Sequence, residues 1–87
     1  QKKYEEDIQL RNRSIEYNLE SDNLKEVSKD KIQLSKTLEA TGETAQAIQQ
    51  LMEAAVIADT INDPRKQADA FLTLAALYEK NNQTQEA

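Results

Sequence analysis

The stretch "LTLAALYEKNNQTQEA" (72–87) decides the fold once it is laid beside "QLSKTLEATGETAQA" (33–47). A shift of forty residues places Leu34 on Leu74, Ser35 on Ala75 and Leu38 on Tyr78. The same shift places Gly42 on Asn82, Thr44 on Thr84 and Ala47 on Ala87, and the break "SDNL" (21–24) falls on "INDP" (61–64). Apolar positions, breaks and caps recur together, which alanine-rich composition alone does not produce. This is an internal repeat of two helices.

Working outward from the repeat, the composition points the same way. With 87 residues the chain makes one small domain, near the lower limit for an unaided core. One Gly and one Pro are too few for a turn-rich β protein, whereas Ala, Leu, Gln, Glu and Lys all favour helix. Hydrophobic content of 38% against 31% charge suits a soluble helical chain. No apolar run approaches the roughly 20 residues of a membrane span, so no membrane contact by this segment is expected. No secretory leader is visible, and the first residue is Gln rather than Met. Residues 1–40 hold eight basic and nine acidic side chains, while residues 41–87 hold three and seven. The acidic second half would repel a phosphate backbone, which argues against direct nucleic-acid binding.

Stop and start signals divide the chain into helices at roughly 2–20, 24–40, 44–60 and 64–80, with a stub from about 84. Asn23 is a candidate N-cap with Glu26 completing a capping box, and Thr44 is a candidate cap for the third helix. Asp63 is a cap candidate ahead of Pro64, whose missing N–H costs nothing in the first turn. Gly42 suits a left-handed helix end, and Asn81-Asn82 reads as a comparable break. Leu51, Ala54, Ala55 and Ala58 form one stripe at helical spacing, and Phe71, Leu74, Ala75 and Tyr78 another.

These residues resemble the tetratricopeptide repeat, whose first helix carries W-x₂-L-G-x₂-Y and whose second opens on a small residue. Phe71, Leu74, Ala75 and Tyr78 stand at those four positions, and Ala87 stands at the opening of the second helix. The preceding repeat matches through Leu34, Ser35, Leu38, Gly42, Ala47, Leu51 and Ala54, with Lys31 where the aromatic is expected. The resemblance implies an all-α fold of antiparallel helix-turn-helix repeats stacked as a short α-solenoid fragment. Residues 1–22 are then a degenerate N-terminal helix, 23–62 the first clear repeat and 63–87 a partial second repeat. Three departures accompany it. The period is forty residues rather than 34, which lengthens each helix by about a turn. Asp7, Arg11 and Ser14 stand where Ala47, Leu51 and Ala54 do one repeat later, and only Ile8 and Ile15 echo the apolar stripe. The last repeat stops after its first helix, so Phe71, Leu74 and Tyr78 are expected to seek a covering helix, in a further repeat or in another copy.

Catalytic constellations are missing from the sequence. There is no His and no Cys, which removes Ser/His/Asp and Cys/His sites, thiolate metal ligands and a histidine phosphoacceptor. The single Gly rules out phosphate-cradling glycine loops. "YEED" (4–7) reads as a solvated helical face, and "DNLKEVSKD" (22–30) lacks the turn Gly and alternating oxygen ligands of a calcium loop. Asn12-Arg13-Ser14 and Asn82-Gln83-Thr84 are glycosylation sequons that matter only in a eukaryotic secretory protein. No enzyme activity, cofactor or metal is expected of this segment.

What the resemblance implies instead is a concave face built from the first helices. Its expected lining is Lys29, Ile32, Gln33 and Lys36 from one repeat, and Asp69, Leu72, Thr73, Ala76 and Glu79 from the next. Ile32 and Leu72 would anchor a protein or peptide partner and the two Lys would make charged contacts. The Lys and Asn residues with which some family members clamp a terminal carboxylate are replaced here by Ile32, Leu72 and Ala76, so no such clamp is expected. Repeats of this longer period resemble those of bacterial signalling proteins, cytoplasmic or periplasmic, with histidine kinase or helix-turn-helix outputs in two-component and related systems. The resemblance therefore implies an interaction scaffold in signal transduction. The alternative is a spacer or oligomerisation module with no groove of its own.

Overall fold

The computed structural model describes the backbone of residues 2–86 and the side chains of residues 3–81. The described residues form four helices and no strand: α1 (Lys2–Glu20), α2 (Leu24–Ala40), α3 (Thr44–Thr60) and α4 (Pro64–Glu86). Each helix packs on the next, and α2 also meets α4. The result is a slab of 44 × 32 × 15 Å.

Three tight turns join the helices, and they are the same turn. Asp22, Gly42 and Asn62 take left-handed backbone, with φ of 57, 86 and 58°. The N–H of each reaches back to the carbonyl of Leu19, Glu39 or Asp59, at 3.1 Å in every case. The next N–H, of Asn23, Glu43 or Asp63, reaches the carbonyl of Asn18, Leu38 or Ala58 at 2.8–2.9 Å. This paired bond satisfies carbonyls that a helix end leaves without partners. Asp and Asn tolerate the left-handed region better than other side chains, and Gly42 meets no penalty there.

The starts of the helices differ from the sequence expectation in two places. Asp63 accepts a bond from the Lys66 N–H at 3.1 Å, directly ahead of Pro64. Asn23 makes no side-chain cap bond, and at the next start Glu43 occupies the cap position, again without one, with Thr44 already inside α3. The preceding turn holds Asn23 and Glu43 at ψ of 72 and 64°, short of the extended backbone from which a cap side chain reaches N2 or N3.

At the other end the break expected at Asn81-Asn82 does not occur, and no separate stub begins near 84. Helix α4 runs unbroken to Glu86. Each residue added to a helix gains a backbone hydrogen bond, and among the described residues no helix packs beyond α4 to reward a turn. Ala87 lies outside the described residues.

The core follows the forty-residue repeat. Ala47, Leu51, Ala54 and Ala58 of α3 are fully buried, with Leu34 and Leu38 of α2 and Ala70 and Leu77 of α4 buried around them. Small residues let the axes approach closely: Ser28 of α2, buried, donates to the Ala54 carbonyl of α3 at 3.1 Å. Ser35 is buried and donates to the carbonyl of Ile32 at 2.6 Å.

Helix α1 makes the same kind of contact with different chemistry. Asp30 of α2 accepts from Arg11 at 3.1 Å, Ser14 at 2.6 Å and Asn18 at 3.3 Å, and Thr37 donates to Asp7 at 2.7 Å. Forty residues later these positions are Ala70, Leu51, Ala54, Ala58, Leu77 and Ala47. A polar interface between α1 and α2 thus stands where α3 and α4 have an apolar one. The residues that made α1 look degenerate in the sequence are paired with polar partners on α2.

Candidate functional site

Of the expected concave lining, the structure brings only part together. Between α2 and α4 lies a cleft of about 140 Å³, lined by Ser35, Lys36, Glu39, Leu51, Thr73, Ala76, Leu77 and Lys80. Lys36, Thr73 and Ala76 are among the residues named from the sequence. Leu51 and Leu77 lie in the buried core at its floor, and Lys80 pairs with Glu39 across the two helices. Of the five lining residues outside the expected set, Ser35, Leu51 and Leu77 are buried core positions, and the other two follow from the same register. Glu39 lies three residues after Lys36, and Lys80 four after Ala76, so each extends a face already counted.

Ile32 is a correction. It is 2% exposed and belongs to the core cluster, so it cannot anchor a partner. Its repeat equivalent Leu72 is 70% exposed. Lys29, Asp69 and Glu79 are exposed outside the cleft, and Gln33 is half-buried. A second correction concerns the stripe on α4. Leu74 turns inward and packs against the core, whereas Phe71, Ala75 and Tyr78 face outward and are exposed. The inward face is completed by Ala70 and Leu77.

Ser35 donates to its own helix, as does Thr73 Oγ1, to the carbonyl of Asp69 at 2.8 Å. Among the described residues no three His, Cys, Asp or Glu gather where a metal could sit, and no helix is long and apolar enough to cross a membrane. On α3 the carboxyl of Glu53 is held below its ordinary range. A hydrogen bond from Lys31 at 2.7 Å lowers its pKa against the opposing effect of burial, with Gln49 helping at 3.2 Å. Lys31 also donates to Gln50 at 3.2 Å, so this trio ties α2 to α3 rather than serving an open site. A wider depression of about 770 Å³ lies between the turns at Asp22 and Asn62, bounded by Lys25 and Arg65. It is open to solvent, and its walls are the turns themselves.

Two larger apolar surfaces remain, one at each end of the slab. On α4, Ala68, Phe71, Leu72, Ala75 and Tyr78 are all exposed, Phe71 to 53%. Their equivalents on α2 are Ser28, Lys31, Ile32, Ser35 and Leu38, of which all but the half-buried Lys31 are buried. On α1, Leu10 and Tyr17 are 64% and 70% exposed. Their equivalents on α3 are Gln50 and Ile57, both half-buried. No protein-family model, curated protein or solved structure matches the chain.

Proposed function

We propose that this chain is a segment of a tetratricopeptide-like helical array acting as a non-catalytic protein–protein interaction scaffold in a larger bacterial signalling protein. The observation that carries this reading is the forty-residue recurrence. Identical turns at Asp22 and Asn62 and matched interface positions around Asp30 and Ala70 are what a stacked array requires. The cleft between α2 and α4 is its binding element, with Ala76 and Leu77 offering apolar contact and Lys36 a charge at the rim. At about 140 Å³ it is smaller than the ~300–1,000 Å³ typical of small-molecule pockets, which favours a side chain of a bound peptide over a free ligand.

A displayed library of random peptides selected on the immobilised chain tests this. Selected peptides are expected to lose binding to the Ala76→Arg variant, which fills the cleft from an exposed position. Retained binding to that variant would refute the cleft as the site. A second reading, an oligomerisation module, draws on a separate observation: the exposed apolar faces of α1 and α4.

A further inference from the structure

We infer that copies of this chain associate head to tail, the outer face of α4 in one copy packing antiparallel on the outer face of α1 in the next. This rests on the oligomerisation reading above and specifies the surfaces, the register and the open-ended symmetry.

The template is inside the chain. Helix α2 packs on α3 with Lys31 reaching Gln50 and Glu53, and with Ser28 bonded to the Ala54 carbonyl. Moving α2 forward by one repeat gives α4, and moving α3 back by one repeat gives α1. The junction between two copies is therefore the α2–α3 contact with both helices exchanged for their equivalents.

At that junction the chemistry changes on both sides at once. Lys31 becomes Phe71, Gln50 becomes Leu10 and Glu53 becomes Arg13. A lysine held between an amide and a carboxylate is thus replaced by a phenyl ring facing an aliphatic side chain and a guanidinium. Phe71 would gain nothing from Gln50 or Glu53, but it suits Leu10 by burial and Arg13 by a cation over the ring. Ser28 becomes Ala68 opposite Ser14, keeping the close approach. The register brings Tyr78 level with Tyr4. It also sets Arg13 level with Asp69 and Lys3 level with Glu79, opposite charges in both cases.

Coordinated exchange on two distant surfaces of one molecule is the property that singles out a second copy as the occupant. An unrelated helix would match α4 without reference to α1. Because the two surfaces differ, the contact is heterologous, and each added copy leaves one face of each kind open.

Sedimentation of the 87-residue chain from micromolar to millimolar concentration tests the inference with two variants, Phe71→Glu and Leu10→Glu. Both positions are solvent-exposed, and circular dichroism checks that helicity is kept. Tyr78→Glu and Tyr17→Glu repeat the test on the same two faces should either first choice lose helicity. The wild type is expected to rise in average mass beyond twofold without a plateau. Each variant alone should remain monomeric. Mixed, they should form a one-to-one dimer and nothing larger, since Phe71→Glu retains a working α1 face and Leu10→Glu a working α4 face.

A monomeric wild type would overturn both the inference and the oligomerisation reading, leaving the cleft test unaffected. Self-dimers of either variant, or failure of the mixture to pair, would overturn the head-to-tail mode while leaving self-association standing.

Discussion

Replacing Asp30 by Ala should destabilise the fold by about 2–3 kcal/mol, and completing the exchange around it should restore the loss. Asp30 accepts three side-chain hydrogen bonds and has a side chain only 4% exposed. Bonds to a charged group contribute roughly 1.5–3 kcal/mol each, but three on one carboxylate do not add. Removing one member of a fully buried ion pair costs roughly 3–5 kcal/mol. Arg11 is 35% exposed and can rehydrate, which lowers the figure for Asp30→Ala, while Ser14 and the buried Asn18 lose an acceptor. Against a total stability of about 4–13 kcal/mol for a chain of this size, the loss is large. The quadruple variant Arg11→Leu, Ser14→Ala, Asn18→Ala, Asp30→Ala copies the interface of Leu51, Ala54, Ala58 and Ala70. Replacing a buried polar cluster wholesale by packed apolar residues is often neutral or better, so it should lie within about 1 kcal/mol of the wild type. Urea unfolding followed by far-ultraviolet circular dichroism, in a Phe71→Glu background to suppress association, measures both. A quadruple variant no more stable than Asp30→Ala would refute the equivalence of the two interfaces. So would an Asp30→Ala loss below about 0.5 kcal/mol, a size typical of surface substitutions.

Three further outcomes follow from individual positions. Gly42→Ala should cost about 1 kcal/mol in thermal or urea unfolding, because φ is +86° and no atom lies within 4 Å of the added carbon, leaving backbone strain as the whole effect; Asn62→Gly should be neutral or slightly stabilising. Ile32→Ala should cost about 2–4 kcal/mol and Leu72→Ala about 0–0.5 kcal/mol, although the two positions are repeat equivalents, because one is buried and the other faces solvent. The folded pKa of Glu53 is lowered by Lys31, so the stability it contributes is present above the unfolded carboxylate pKa and is lost as pH falls through the folded value. The stability gap between the wild type and Lys31→Met should therefore narrow as pH falls below the ordinary carboxylate range, and only slightly, since the Glu53 side chain is 42% exposed and solvent screens the pair.

The first three helices, the start of the fourth, the all-α class and the turn at Gly42 were legible because they depend on local signals: apolar spacing, a Pro in the first turn, a Gly at a helix end. Asp22 and Asn62 were harder to place, since a short polar side chain serves equally as a cap or as a left-handed residue. The polar interface was hidden for a different reason. Asp7, Arg11 and Ser14 read as a loss of pattern until Asp30 and Thr37 were seen to answer them from α2. Exposure was the least legible property. Ile32 and Leu72 have the same place in the repeat and opposite surroundings, because α3 and α4 flank α2 whereas nothing in the described structure lies beyond α4. The cleft residues Ser35, Leu51 and Leu77 belong to the core in the repeat pattern and are buried, and they form the floor of the cleft where α2 and α4 stand apart. The turn at Asn82 carried a correct-looking local signal that continued helical bonding outweighed.

If the molecule repeats every forty residues and its two end faces continue that repeat, a covalent junction of the same period should fold as one unit. A single-chain tandem, residues 1–81 followed directly by residues 2–87 with Lys2→Gly at the joint, keeps the period across the junction and puts a glycine where Asp22, Gly42 and Asn62 lie in the other turns. Its urea unfolding midpoint, compared with that of one copy under non-associating conditions, reads the new α4–α1 interface directly. One cooperative transition at a higher midpoint is expected, with Tyr78 of the first copy and Tyr17 of the second shielded from solvent. An unchanged midpoint, with both tyrosines as exposed as in the single chain, would contradict it.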